Sequence, residues 1–131
     1  MTIETPKVNA GTVLVLDDEA LIAMDLAATV EDCGLNVLGP AFSMKQAFEL
    51  IEGSTPELAL LDINIGKEQV WPLARELRDR GVGLVFISGD LSPANLQAEF
   101  HDAPRLHKPA LPQQVCEALD SYEVKTPTAA E

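Results

Sequence analysis

The chain has 131 residues, enough for one domain and too few for two well-filled cores. Apolar residues make up 47% and aromatic residues only 5%, so a core must be assembled from Leu, Val, Ile and Ala. The formal net charge of −12 argues against nucleic acid or an anionic membrane as a ligand, since both require a surplus of Lys and Arg; it suits a divalent cation or a basic protein surface.

Cys33 and Cys116 fit no pairing motif and read as small buried hydrophobes in a reducing cytosol. Residues 1–10 lack a basic start followed by an apolar run, so no signal peptide is expected. No apolar stretch approaches the ~20 residues of a membrane span.

In chain order, strand and helix patterns alternate five times. Residues 12–16 (TVLVL) form a short branched apolar run that ends in acids, the signature of a buried strand. Ile22, Leu26, Val30 and Cys33 then recur at helical spacing, and Gly34 closes that helix. A second short strand at 36–38 precedes Gly39-Pro40. Ser43 and Gln46 make a capping box before the apolar face Met44, Ala47, Phe48 and Ile51. Residues 58–63 (LALLDI) form the third strand. Val70, Leu73, Ala74 and Leu77 mark the third helix, with Pro72 in its first turn and Gly81 at its end. Residues 82–87 (VGLVFI) form the fourth strand. Ser92-Pro93 can start a fourth helix, which only Leu96 and Phe100 support, so that helix is expected to be short or mobile. A fifth strand at 104–107 leads into a last helix carrying Leu111, Val115, Leu119 and Tyr122.

Strands that are apolar on both faces need helices on both faces. The chain is therefore expected to be an α/β domain, a doubly wound five-stranded parallel sheet with helices on both faces and a flavodoxin-like strand order of 2-1-3-4-5. The domain is placed at residues 11–123, between an N-terminal extension (1–10) and a flexible tail (124–131). Ligands of such sheets bind beyond the carboxyl ends of the strands, and each of those ends is chemically marked. The first strand ends in Asp17 and Asp18, the third in Asp62 with Asn64 two residues on, the fourth in Ser88-Gly89 and the fifth in Lys108-Pro109. Three gathered carboxylates repel one another, and the cost rises as the dielectric falls. Lys108 can offset one charge and Mg²⁺ two; Mg²⁺ takes oxygen ligands and keeps several waters. Asp62 could then attack phosphorus as a carboxylate nucleophile, with Lys108 and the Ser88 hydroxyl placed to share the phosphoryl oxygens.

The four segments LVLDDE (14–19), LLDINI (60–65), FISGD (86–90) and HKP (107–109), in this order, resemble the receiver domains of bacterial response regulators, over roughly residues 11–123. The resemblance implies that Asp62 is phosphorylated by a sensor histidine kinase and that Asp18 binds Mg²⁺ directly. It further implies that Asp17 acts closely or through water, and that Asn64 gives its backbone carbonyl to the metal. Ser88 takes the place of the switch hydroxyl and Lys108 that of the matching lysine, with a cis peptide before Pro109.

The chain departs from the family at Arg105, where an aromatic switch residue is usual, at Gly89 in place of Ala, and at Ala110 in place of Phe. FISGD and the stretch 62–81 look like an atypical subgroup with a Phe-Ala-Thr-Gly-x-Tyr-like fourth-strand motif. Its members are found mainly in alphaproteobacteria, are often single-domain, and pair with HWE or HisKA2 kinases. Leu91 stands where that motif has Tyr. The implied protein is a cytoplasmic, single-domain regulator that is not itself an enzyme, acts on a downstream protein target, and is a monomer able to dimerise on phosphorylation.

Trp71 and His107 are expected to be structural, and Glu19 either a helix-start charge or an outer-shell acid. Three other readings stay open. One is a degenerate receiver serving as an unphosphorylated scaffold. The second is a Mg²⁺-dependent aspartyl-phosphate phosphatase of the haloacid dehalogenase type, which would want a carboxylate where Asn64 stands. The third is a flavin binder, which would want a hydroxyl- and Gly-rich loop where DDEALI stands.

Overall fold

The computed structural model describes residues 11–123. The proposed extension and tail lie outside the described residues. The elements run β1 (Thr12–Leu16), α1 (Ala20–Asp32), β2 (Asn36–Ala41), α2 (Met44–Gly53), β3 (Leu58–Asp62), β4 (Asn64–Ile65), β5 (Glu68–Gln69), α3 (Trp71–Asp79), β6 (Gly83–Ser88), β7 (Arg105–His107) and α4 (Pro112–Glu123). Five strands form one parallel sheet in the order β2-β1-β3-β6-β7. Counted within that sheet, this is the expected 2-1-3-4-5 order. The β4–β5 hairpin, which pairs Asn64 with Gln69 and Ile65 with Glu68, was not anticipated: its six residues carry no apolar alternation.

Strand alternation divides the core in two. Val13, Val15, Leu60, Val85 and Ile87 face α1 and α4, where Leu26, Val30, Val115 and Leu119 close over them. Leu14, Leu16, Ala59, Leu61, Leu84 and Phe86 face α2 and α3, meeting Ala47, Ile51, Leu73 and Leu77. Burial of each large side chain contributes about 1.5–3 kcal/mol, so both layers hold the sheet. The helix signals act as expected. The Ser43 Oγ accepts from the Gln46 N–H at 3.1 Å and caps α2, while Gly34 and Gly81 take positive φ values of 91° and 83° just past α1 and α3. Gly83 has a different task. A Cβ there would lie 2.7 Å from the Tyr122 ring, so glycine lets α4 seat Tyr122 against β6, where its hydroxyl donates to the Leu84 carbonyl at 2.7 Å.

Two expectations are corrected. Cys33 and Cys116 are not separate thiols; they form a disulfide between the end of α1 and α4, 83 residues apart in sequence. The spacing could not show this, because α1 and α4 become neighbours only when they cover the same sheet face. The segment between β6 and β7 contains no α-helix. It holds two 3-10 turns, Pro93–Asn95 and Ala98–Phe100. Too few apolar residues repeat at helical spacing there, and Phe100 instead packs against both Trp71 and Phe86, with ring centroids 5.5 Å from each, in a cluster where those two rings also touch at 5.3 Å. Glu99 is gripped by Arg75 at 2.7 Å and Arg78 at 3.0 Å on α3, and Arg78 lies over the Phe100 ring. Trp71 is buried in this aromatic group, a packing residue as expected.

Candidate functional site

The carboxyl ends of β1, β3, β6 and β7 bring the four marked segments together. Parallel register sets Asp62 beside Ile87, one residue before Ser88, and sets Ser88 beside His107, one residue before Lys108. Because β1 is flanked by β2 and β3, Asp17 leaves the sheet next to Asp62. The Lys108 ammonium bridges the two acids, 2.8 Å from Asp17 Oδ2 and 3.1 Å from Asp62 Oδ2, with Glu19 further out at 3.9 Å. Asp17 is fully buried and Asp62 nearly so, whereas Asp18 is exposed. The Lys108–Pro109 peptide is cis, as the resemblance implied; so is Gly39–Pro40.

The carboxylates are under electrostatic load. Burial raises the Asp62 carboxyl from its ordinary 3.8 to about 6, the Asp17 charge adds to this, and Lys108 and the Asn64 N–H only partly oppose it. Burial pulls the Lys108 ammonium down, but Asp17 and Asp62 outweigh it and the net shift is upward. Asp17 Oδ1 accepts from the Glu19 N–H at 2.9 Å. Its Oδ2, despite the nearby ammonium, accepts no hydrogen bond of good geometry. Asp18 Oδ2 accepts from the Gly66 N–H at 2.8 Å, which ties the β4–β5 hairpin to the acidic pair.

Oxygens of Asp17, Asp18 and Asp62 lie within 4.8 Å of one another. An all-carboxylate donor set with one buried oxygen lacking a hydrogen bond fits a hard, oxygen-loving divalent cation. The cluster can thus hold a metal ion.

Ser88 is buried at the end of β6, and its hydroxyl is engaged locally. It donates to the Asp90 carbonyl at 3.2 Å and accepts from the Asp90 N–H at 3.1 Å and from Asn95 Nδ2 at 3.5 Å. Asn95 was missed in the sequence. It is one of four buried polar or charged residues among those described, the others being Asp17, Asp62 and Ser88. Gln69 was missed too. Its amide donates to Asn95 Oδ1 at 2.7 Å and to Asn64 Oδ1 at 3.2 Å, and its oxygen accepts from the Trp71 indole at 3.3 Å. No motif marks either residue. His107 and Arg105 are exposed on β7 and stand outside the cluster.

No family model matches the chain. It is 26% identical over 112 residues to the transcriptional regulatory protein PdtaR of Mycobacterium tuberculosis, a match covering 86% of this chain and 55% of that protein. The chain therefore spans about half the length of this curated relative. The signal receiver domain of the response regulator NarL from Mycobacterium tuberculosis superposes with a TM-score of 0.78 at 24% identity, covering 92% of this chain and 99% of that one. With this sheet order, this strand-end cluster and a relative 30% identical over most of both chains, the chain belongs to the receiver domains of response regulators, with their CheY-like fold. SdrG from Sphingomonas melonis is 30% identical to it, with a TM-score of 0.73 over 86% of this chain and 95% of that one. Among the described residues no helix is long and apolar enough to cross a membrane.

Proposed function

We propose that Asp62 accepts a phosphoryl group from the phosphohistidine of a sensor kinase, and that the phosphorylated domain signals by changed contacts with a downstream protein. The observation that carries this reading is the Lys108 ammonium placed between a buried Asp62 and a buried Asp17, beside an exposed Asp18. With its carboxyl at about 6, Asp62 is mostly ionised at neutral pH and is a competent nucleophile. One of its oxygens bonds to phosphorus while the nitrogen–phosphorus bond of the donor breaks, and that electron pair stays on the imidazole. Lys108, 3.1 Å from Asp62 Oδ2, offers a positive charge to the oxygens that gather negative charge, and Ser88 offers a hydroxyl once it lets go of the Asp90 carbonyl.

Mg²⁺ is the cation this reading assigns to Asp17, Asp18 and Asp62, with the Asn64 carbonyl as a further ligand; it supplies charge neutralisation to the transferring group. The atypical single-domain subgroup remains the preferred placement. FISGD and the stretch 62–81 support it. A cytoplasmic location goes with this reading, and it sets the Cys33–Cys116 bond against the reducing poise of that compartment. The test is incubation with phosphoramidate and Mg²⁺, followed by intact-mass spectrometry. The wild type should gain one phosphoryl group and Asp62→Asn none. A wild type that stays unmodified, or an Asp62→Asn variant that is modified equally, would refute the assignment.

A further inference from the structure

Arg105 occupies the place of the family's aromatic switch residue and is exposed, so a change at Ser88 must reach the surface by another path. The polar side chains around Ser88 form a connected chain. Asn95 Nδ2 contacts both Ser88 Oγ at 3.5 Å and the Asp90 carbonyl at 2.7 Å, while its Oδ1 is held by Gln69. The amide is thus fixed in orientation by three groups. Gln69 in turn holds Asn64 Oδ1, and the Asn64 N–H donates to Asp62 Oδ1 at 3.4 Å. The network therefore meets the candidate phosphoacceptor through Asn64, and through Asn95 it reaches Ser88, at the end of the strand beside Asp62. Its outer end is the Trp71 indole, stacked on Phe100 with an interplanar angle of 17°. Asn95 sits on the first 3-10 turn and Phe100 on the second, so one polar and one aromatic contact hang this segment on the site.

We infer that Asn95, oriented by Gln69, is the positioning residue that couples the state of the Ser88 hydroxyl to the segment 89–103 and to Trp71. This rests on the phosphoacceptor reading and names how that site is read out. In the unphosphorylated domain the Ser88 proton points to the Asp90 carbonyl, the same acceptor that Asn95 uses. When Ser88 turns its proton to a phosphoryl oxygen, the Asp90 carbonyl is left to Asn95 alone, and Asn95 loses or remakes its own bond to Ser88 Oγ. A buried amide cannot leave a donor unmade cheaply, so the turn bearing it shifts, Gln69 follows, and the indole hydrogen bond changes.

Trp71 is the single tryptophan of the chain, so its fluorescence reports this path directly. The experiment titrates wild type, Asn95→Ala and Gln69→Leu with beryllofluoride in Mg²⁺. Bound beryllofluoride is followed by fluorine NMR and Trp71 by emission. Wild type should bind and change its emission in parallel. Both variants should bind while the ligand-induced emission change is lost, although their emission without ligand still shows a buried tryptophan. Wild-type emission changes in both ligand-bound variants would overturn the coupling role and leave the phosphoacceptor reading intact. Absence of bound beryllofluoride in wild type would overturn both.

Discussion

Removing the Asp62 charge should stabilise the protein, and should do so only where that charge exists. The Asp62 carboxyl is raised from 3.8 to about 6, chiefly by burial. Below pH 3.8 it is protonated in folded and unfolded chains alike and contributes nothing. Between about pH 4 and 6 the unfolded chain has released this proton while the folded one retains it, so stability falls as pH rises. Above about pH 6 the full penalty is present. A displacement of about two pKa units corresponds to about 3 kcal/mol, an upper limit, since Asn keeps the shape but accepts less strongly from Lys108. Asp62→Asn should therefore gain roughly 1–3 kcal/mol at pH 8 and nothing at pH 4, by urea denaturation with a chelator present. Adding Mg²⁺ should favour the wild type and narrow the gap. A variant less stable than wild type at pH 8, or a difference equal at pH 4 and pH 8, would refute the claim that Asp62 is held in an unfavourable ionised state.

Lys108→Met should push the Asp62 carboxyl above about 6, read by carboxyl-carbon NMR titration, because Asp17 and Asp62 then face each other without the ammonium. It should also lower stability at pH 8 by about 2–4 kcal/mol, as expected when one partner of a largely buried ion group is removed. Gly83→Ala should cost about 1–3 kcal/mol, since the new methyl meets the Tyr122 ring, and a second change, Tyr122→Leu, should recover part of that loss. Opening the Cys33–Cys116 bond with dithiothreitol, or replacing both residues by Ser, should lower stability by roughly 2–4 kcal/mol. Thiol titration of the unfolded, unreduced protein should find no free thiol; two free thiols would contradict the bond.

What could be read in advance was what local chemistry determines. The TVLVL run gives β1 to the residue, and Gly34 and Gly81 end the helices they were expected to end. The acids and the lysine were assigned to strand ends, and the parallel order then brings them together, since register leaves no other place for them. What escaped depends on contacts distant in sequence. Cys33 meets Cys116 only because α1 and α4 share a sheet face. No motif marks Asn95, which falls within the expected fourth helix, or Gln69, just ahead of the third; their roles arise from a buried hydroxyl 7 residues from one, and an amide 26 residues from the other. The segment 93–100 was expected to be a weak helix, and its few apolar residues do not sustain one. Phe100 instead packs onto the Trp71 and Phe86 rings.

The charge count at the site explains why metal and phosphoryl group would depend on each other. Asp17, Asp18 and Asp62 carry three negative charges when ionised, and Lys108 returns one, so the cluster stands at −2. A phosphoryl group on Asp62 removes that carboxylate charge but brings about two of its own, so the site would become more negative still. One ammonium cannot hold that in a buried setting, where like charges at a few ångströms are far costlier than in water. A divalent cation restores balance in both states. The fold thus keeps an acidic site that is stable enough to persist, through Lys108 and the Gly66 N–H, yet still short of positive charge. That shortage is the reason Asp62→Asn is expected to stabilise the protein, and on the same physics it suits the site to a cation and to the phosphoryl group proposed for Asp62.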